Sequence, residues 1–191
     1  MTQSKPMLHS TTHPTPVGLL TLVASDRGLR AVLWPKLSPQ RAGISPRPRR
    51  DPDHPVLRRT AQELDEYFAG SRTSFDVPLD LDGTRFQLAA WRSLADIPFA
   101  TTTTYGQQAA ALGIPRAARA VGAANGANPV CIVLPCHRVI GANGSLTGFG
   151  GGLPVKQWLL DHEAQMARTI FDEPQWPVRQ PVQTRLSMPV A

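Results

Sequence analysis

Two short apolar runs, Val17 to Ala24 (VGLLTLVA) and Gly28 to Trp34 (GLRAVLW), are separated only by Ser25-Asp26-Arg27. A cluster of turn formers between two such runs makes the chain double back as a β-hairpin. From Val56 to Phe68 the apolar positions Leu57, Thr60/Ala61, Leu64 and Tyr67/Phe68 recur at three- and four-residue spacing. Arg58, Arg59, Glu63 and Glu66 fall on the other face, which predicts an amphipathic helix ended by Gly70. Ser74 to Leu79 (SFDVPL) alternates like a strand and Asp80 to Gly83 reads as a turn. Residues 1–82 are therefore expected to form an α/β domain, a small antiparallel sheet with a helix. Within it, residues 35–55 (PKLSPQRAGISPRPRRDPDHP) have almost nothing to bury and read as a mobile surface loop.

The second half changes character. Thr84 is placed to cap a helix whose stripe runs Phe86, Ala89/Ala90, Leu94 and Ile97, ended by Pro98. Tyr105 to Leu112 makes a short helix stopped by Gly113, and Pro115 opens another running to about Asn125, so the pair suggests a helix-turn-helix. The second of these, PRAARAVGAANG, is almost wholly Ala and Gly around two arginines. Such small side chains permit close approach to another surface or tight packing in a core, and the arginines favour an external, anionic surface. Val130 to Leu134 (VCIVL) reads as a buried strand or extended segment leading to Pro135, Cys136 and His137. A Gly-rich loop, 141–152, precedes a helix from Pro154 with its apolar face at Val155, Trp158/Leu159, His162 and Met166. Residues 83–168 are thus expected to form a second, mainly α domain. The Pro-broken tail, 169–191, should be poorly ordered.

Charge separates the halves further. The chain of 191 residues has a formal net charge of +6 and a pI near 10.1, which favours a polyanionic partner. Between Gly83 and Leu160 the only acid is Asp96, against Arg85, Arg92, Arg116, Arg119, Arg138 and Lys156. Two cysteines, Cys131 and Cys136, are too few for a disulfide framework and fit a reducing compartment. No apolar run approaches the ~20 residues that span a membrane, and the polar N-terminus is unlike a signal peptide. A soluble, cytoplasmic protein is expected.

Cys136 followed at once by His137 is a candidate activated thiol, because a nearby imidazole can take the thiol proton. The competing reading is a buried structural cysteine beside a hydrogen-bonded histidine. Neighbours in extended chain point apart, so contact would need a bridging water or a sharp bend at Pro135. A carboxylate to orient the imidazole could come from Glu163 or Asp161.

The run NPVCIVLPCHRVIGANGSLTGFGGGLPVKQWLLDHE (128–163) closely resembles the O6-alkylguanine-DNA alkyltransferase family. GTRFQLAAWRSLADIPF (83–99), TYGQQAAALG (104–113) and PRAARAVGAANGANP (115–129) extend the likeness strongly over residues 83–165 and weakly before them. The resemblance implies an RNase H-like N-terminal domain and a C-terminal domain of winged helix-turn-helix type. It implies a monomer without cofactor or membrane that flips O6-alkylguanine, and more weakly O4-methylthymine, out of duplex DNA. The alkyl group would move irreversibly to Cys136, so that each molecule acts once. His137 would act as base through a water, Glu163 would orient His137, and Asn128 would fix the turn beneath the nucleophile. Tyr105 would sit over the nucleotide and donate toward the departing guanine. Arg119 would enter the duplex in place of the base, with Ala117, Ala118, Ala120 and Gly122 close to the minor groove. Thr104 would hold phosphate and Arg138 would contact DNA. Val139, Phe149, Gly150 and Lys156 would line the substrate pocket.

Some positions depart from the family's pattern. Phe149 stands where many members have Tyr, and Ala100 to Thr104 (ATTTT) replaces the usual Gly-Glu-Thr-x-Ser. Cys131 reads as an inert buried thiol. Residues 1–82 contain no cysteine, so the zinc site of some members is not expected. Members that only sense the lesion, without transfer, carry another residue where Cys136 stands. A turnover thiol hydrolase is a third alternative.

Overall fold

The structure, a computed structural model, describes residues 6–35, 37, 44 and 47–171. The expected hairpin is present as β2 (Gly18–Ser25) and β3 (Gly28–Leu33), which meet at Ser25 and Gly28. An unanticipated strand, β1 (His9–Thr15), pairs antiparallel with β2 along its whole length. Its sequence, HSTTHPT, has no apolar alternation, and only the ladder to β2 makes it a strand. The short β4 (Arg49–Arg50) adds in parallel to β1, giving the order β3-β2-β1-β4. The sheet is therefore mixed at one edge rather than wholly antiparallel, and that edge ends in two arginines, which discourages further pairing.

Residues 35–55 are less empty than their composition suggests. Ile44 is buried in a small cluster with Val23, Ala31 and Leu33. The mobility expected of this loop falls largely on positions 36, 38–43, 45 and 46, and the disorder expected of the tail on 172–191, all outside the described residues.

Helix α1 (Pro55–Phe68) starts with Pro in its first turn, packs on β1, β2 and β3, and buries Leu57, Leu64 and Tyr67, the last among Phe75, Phe99 and His162. Glu63, assigned to the solvent face by periodicity, is buried instead. Its carboxylate accepts the backbone N–H groups of Asp76 and Val77 and the guanidinium of Arg59. Those two N–H groups are consequently unavailable to a ladder, and the strand expected at 74–79 reduces to a single bridge between Leu29 and Leu79.

In the second half Thr84 caps α2 (Arg85–Arg92), with Gln87 returning the hydrogen bond. A 3-10 turn, Ser93–Asp96, continues the helix. Phe86 lies exposed and Trp91 takes the buried position, donating its indole N–H to the Ala124 carbonyl. The helix-turn-helix is α3 (Tyr105–Ala111) and α4 (Ala118–Gly126), so Pro115 belongs to the turn and not to the second helix. A buried pair, Asn125 and Gln108, joins α4 to α3, and the same Gln108 amide donates to the Ala90 carbonyl of α2. Two-residue strands β5 (Thr103–Thr104) and β6 (Val139–Ile140) pair in parallel. Helix α5 (Leu153–Phe171) closes the fold.

One core runs through both halves, joining Leu22, Leu29, Val32, Leu57, Leu64 and Tyr67 to Trp91, Leu94, Ile132, Leu134, Cys136 and Leu159. Among the described residues no helix is long and apolar enough to cross a membrane.

Candidate active site

The segment before Cys136 is buried as expected but is not a strand. Ile132 has φ +74°, a conformation that a β-branched residue adopts at a cost, and Ile132 and Val133 form a turn. Asn128 holds that turn from inside, donating its amide to the Leu134 carbonyl at 2.8 Å and accepting the Val130 N–H at 3.1 Å. On the near side, Val32 of β3 donates its N–H to the Pro129 carbonyl at 2.8 Å, which fastens the segment to the sheet. Cys136, His137 and Arg138 then lie in one 3-10 turn, all three buried.

Glu163, fully buried on α5, is the centre of the cluster. His137 Nε2 lies 2.7 Å from its Oε1, and Arg138 donates through Nε at 2.9 Å and Nη2 at 3.0 Å. The Tyr67 hydroxyl reaches it from α1 at 2.8 Å, and the backbone N–H of Ala100 at 3.1 Å. Burial pushes the Glu163 carboxyl up, but the charges and hydrogen bonds of His137 and Arg138 outweigh it and hold the group well below the ordinary carboxylate range. Burial also lowers His137, and outweighs the opposing pull of Glu163, so its imidazole is neutral near pH 7. A neutral ring that gives its Nε2 proton to Glu163 has a basic Nδ1, and that atom is buried with no partner among the described residues. Of the two carboxylates open from sequence, Asp161 lies on the exposed side of α5 and bonds Gln157.

Cys136 Sγ is 3.9 Å from Cys131 Sγ. That contact, with Asn128 and the charge of Lys156, pulls the Cys136 thiol below its ordinary value against the effect of burial. Cys131 moves the other way, well up, through the same contact and through burial.

Arg138 is placed differently from its expected role. It is buried, spends its remaining nitrogen on the Ile97 carbonyl at 2.7 Å and lies over the Phe99 ring, so its donors are engaged inside the protein and not presented at the surface. Lys156 is also fully buried. Its ammonium donates to the Val139 and Thr147 carbonyls at 2.6 and 2.9 Å, and burial pulls it down to about 8. It ties β6 to the Gly-rich loop beside the thiol.

The Tyr105 hydroxyl meets Thr147 of that loop, 3.2 Å from its Oγ1. Gly122 packs beneath the Tyr105 ring. Phe149 lies edge-on to Trp34 and near His137. At Gly151 a side chain would meet the Trp34 ring at 2.9 Å, and the loop lies that close only because this position has no Cβ. Thr104 caps α3, and its hydroxyl accepts the Gln107 N–H. Arg119, Arg116, Arg85 and Arg92 are exposed, Ala118 is half-buried, and Arg119 makes no ion pair among the described residues.

Tyr67 and Ala100 were not legible as site residues. A tyrosine on the apolar stripe of a helix 96 residues away reads as core, and a backbone N–H leaves no trace in sequence.

A set of possible metal ligands lies elsewhere. His9, Asp26 and His54 bring one ligand atom each within 4.8 Å of the others. Both rings are already engaged, His9 with Asp51 at 2.9 Å and His54 with Asp26 at 3.2 Å. The missing cysteines of residues 1–82 do not bear on such a nitrogen-oxygen set.

An α/β unit and a helix-turn-helix unit share one core, with a thiol, an imidazole and a carboxylate buried close together, and these define a class of helix-turn-helix protein with an enclosed cysteine-histidine-glutamate cluster. Two family models match the chain: 6-O-methylguanine DNA methyltransferase, ribonuclease-like domain, over residues 8–81, and 6-O-methylguanine DNA methyltransferase, DNA binding domain, over 85–165. The chain belongs to the 6-O-methylguanine DNA methyltransferase family. It is 45% identical over 171 residues to the methylated-DNA-protein-cysteine methyltransferase of Mycolicibacterium paratuberculosis, covering 87% of this chain and all of that protein. A relative of the same name from Methanosarcina acetivorans is 42% identical over 149 residues, 78% of this chain and 94% of that protein. The crystal structure of Mycobacterium tuberculosis O6-methylguanine methyltransferase superposes with a TM-score of 0.75 at 44% identity, over 87% of this chain and all of that one. The M. tuberculosis protein in complex with DNA superposes with a TM-score of 0.76 at 42% identity, over 83% and 94%.

Proposed function

We propose that this chain repairs DNA by moving the alkyl group of O6-alkylguanine onto Cys136. The observation that carries the reading is the buried Glu163–His137 pair, with its unpartnered Nδ1, one residue from a thiol already lowered toward thiolate. His137 Nδ1 accepts the Cys136 proton through a water, which removes the objection that neighbouring side chains point apart. The thiolate attacks the alkyl carbon, an S–C bond forms and the C–O bond breaks. Tyr105, at the start of the helix-turn-helix, donates its hydroxyl proton to the departing guanine. The thioether has no route back to thiol, so one molecule serves one lesion, and the chemistry needs no cofactor.

For the thiol to meet the base, the nucleotide leaves the duplex, and Arg119 fills the gap from α4. Ala118 and Gly122 keep that helix close to the minor groove, while Thr104 and nearby amides hold phosphate. Val139, Phe149 and Gly150 wall the pocket.

Incubation with duplex carrying a labelled O6-methyl group should leave one label per protein, a mass gain of about 14 Da on Cys136. Cys136→Ser should take none, and a serine variant that still took the label would end this reading. Unchanged mass with tight binding would indicate a lesion sensor, and many products per protein a turnover hydrolase. Arg138→Met separates the buried arginine from the exposed ones. It should cost about 3 kcal/mol or more of stability and leave the salt dependence of DNA affinity untouched. A slope reduced by about one would return Arg138 to the DNA surface.

A further inference from the structure

We propose that Cys131 is a resolving thiol for Cys136, so that a hydroperoxide converts the pair to an intramolecular disulfide and withdraws the alkyl acceptor reversibly. The turn at Ile132-Val133, held by Asn128, folds the chain back until the two sulfurs are 3.9 Å apart. They are the only two cysteines of the chain, and both are buried. Closing the gap to about 2.05 Å is a matter of side-chain rotation and a small shift of the turn.

Burial does not shut the pair off from small oxidants. A cavity of about 390 Å³ is lined by Cys131 itself with Asn128, Trp34, Ala127 and Gly150. That space brings a hydroperoxide to the Cys131 side of the pair; Cys136 is not among its walls, but its sulfur lies 3.9 Å from that of Cys131 and the residue keeps 6% of its surface exposed. The two thiols are also unequally disposed: Cys136 is drawn toward thiolate and Cys131 held as thiol. That inequality makes Cys136 the first to react and Cys131 the second.

The steps balance. The Cys136 thiolate attacks the outer peroxide oxygen, an S–O bond forms, the O–O bond breaks and an alkoxide leaves to be protonated as alcohol. Cys131 then attacks the Cys136 sulfur, an S–S bond forms, the S–O bond breaks, and hydroxide departs with the Cys131 proton as water. Two thiols and one hydroperoxide give one disulfide, one alcohol and one water.

The chemistry of the pair stands independently of the proposed function, whereas its consequence for repair rests on that reading. The full chain is treated with an equivalent of an organic hydroperoxide and weighed intact and after trypsin. A loss of about 2 Da, carried by the Ala120–Arg138 peptide, is expected, with alkyl acceptance from labelled duplex lost and then restored by dithiothreitol. Cys131→Ala and Cys131→Ser, each compared with its own untreated sample, should instead gain oxygen on Cys136 and never lose about 2 Da. Two variants of different polarity guard against a packing defect in either one. Wild-type protein that only gains oxygen, or links between molecules, overturns the proposal. Reduced protein that takes no label from duplex counts against the proposed function and leaves the mass result to decide the disulfide.

Discussion

Glu163→Gln should unfold about 3–5 kcal/mol more easily than the wild type, because it leaves the Arg138 guanidinium buried without its counter-charge. The side chain keeps its volume, so the loss comes from chemistry and not from a cavity. Five donors from four places converge on this carboxylate: Tyr67, His137, two nitrogens of Arg138 and the N–H of Ala100. An amide can accept from some of them only by turning its own N–H₂ against others. Chemical denaturation measures the effect, and a variant as stable as the wild type would show that the network holds nothing together. Alkyl transfer should also slow by on the order of 10²-fold, since the imidazole loses the partner that fixes its tautomer. Acid narrows the gap between the two proteins. The carboxyl is held well below its unfolded value of about 4.3, so its contribution is present above that pH and lost as pH falls below it. The wild type should therefore lose more stability than Glu163→Gln between about pH 4 and the acid limit.

Arg119→Ala should weaken repair in duplex DNA while leaving reaction with free O6-benzylguanine at the wild-type rate. Unstacking a base costs a few kcal/mol. A side chain that offsets one or two of them accounts for about a five- to thirtyfold change in rate. Arg119 is exposed on α4, among neighbours small enough to let the helix approach a groove. Single-turnover rates on duplex and on free base decide the matter, and equal losses on both would remove the finger role.

The lone acid among six basic groups over 83–160 was legible, and so was the preference for a polyanion. The structure divides those six. Arg85, Arg92, Arg116 and Arg119 face solvent, whereas Arg138 and Lys156 are enclosed and spend their donors on Glu163 and on backbone carbonyls. Charge counts in sequence cannot tell these apart, because a buried cation and a solvated one are the same letter. Glu63 shows the converse on α1. Helical spacing put it outside, and the unpaired N–H groups of Asp76 and Val77 brought it in.

The order of the elements was determined locally. Apolar runs flanking Ser25-Asp26-Arg27 made the hairpin, three- and four-residue spacing made α1, and Thr84 set the start of α2. The motif around Cys136 likewise marked where the thiol and the imidazole of the proposed site fall in the chain. Each of these depends on neighbours within a few residues, which sequence records directly. The strand β1, the positive φ of Ile132, the reach of Tyr67 to Glu163 and the meeting of Cys131 with Cys136 were decided only by the tertiary structure. They arise from hydrogen bonds and contacts that close when the two halves share one core. A buried donor takes whichever acceptor packing brings to it, and that acceptor need not be near in the chain.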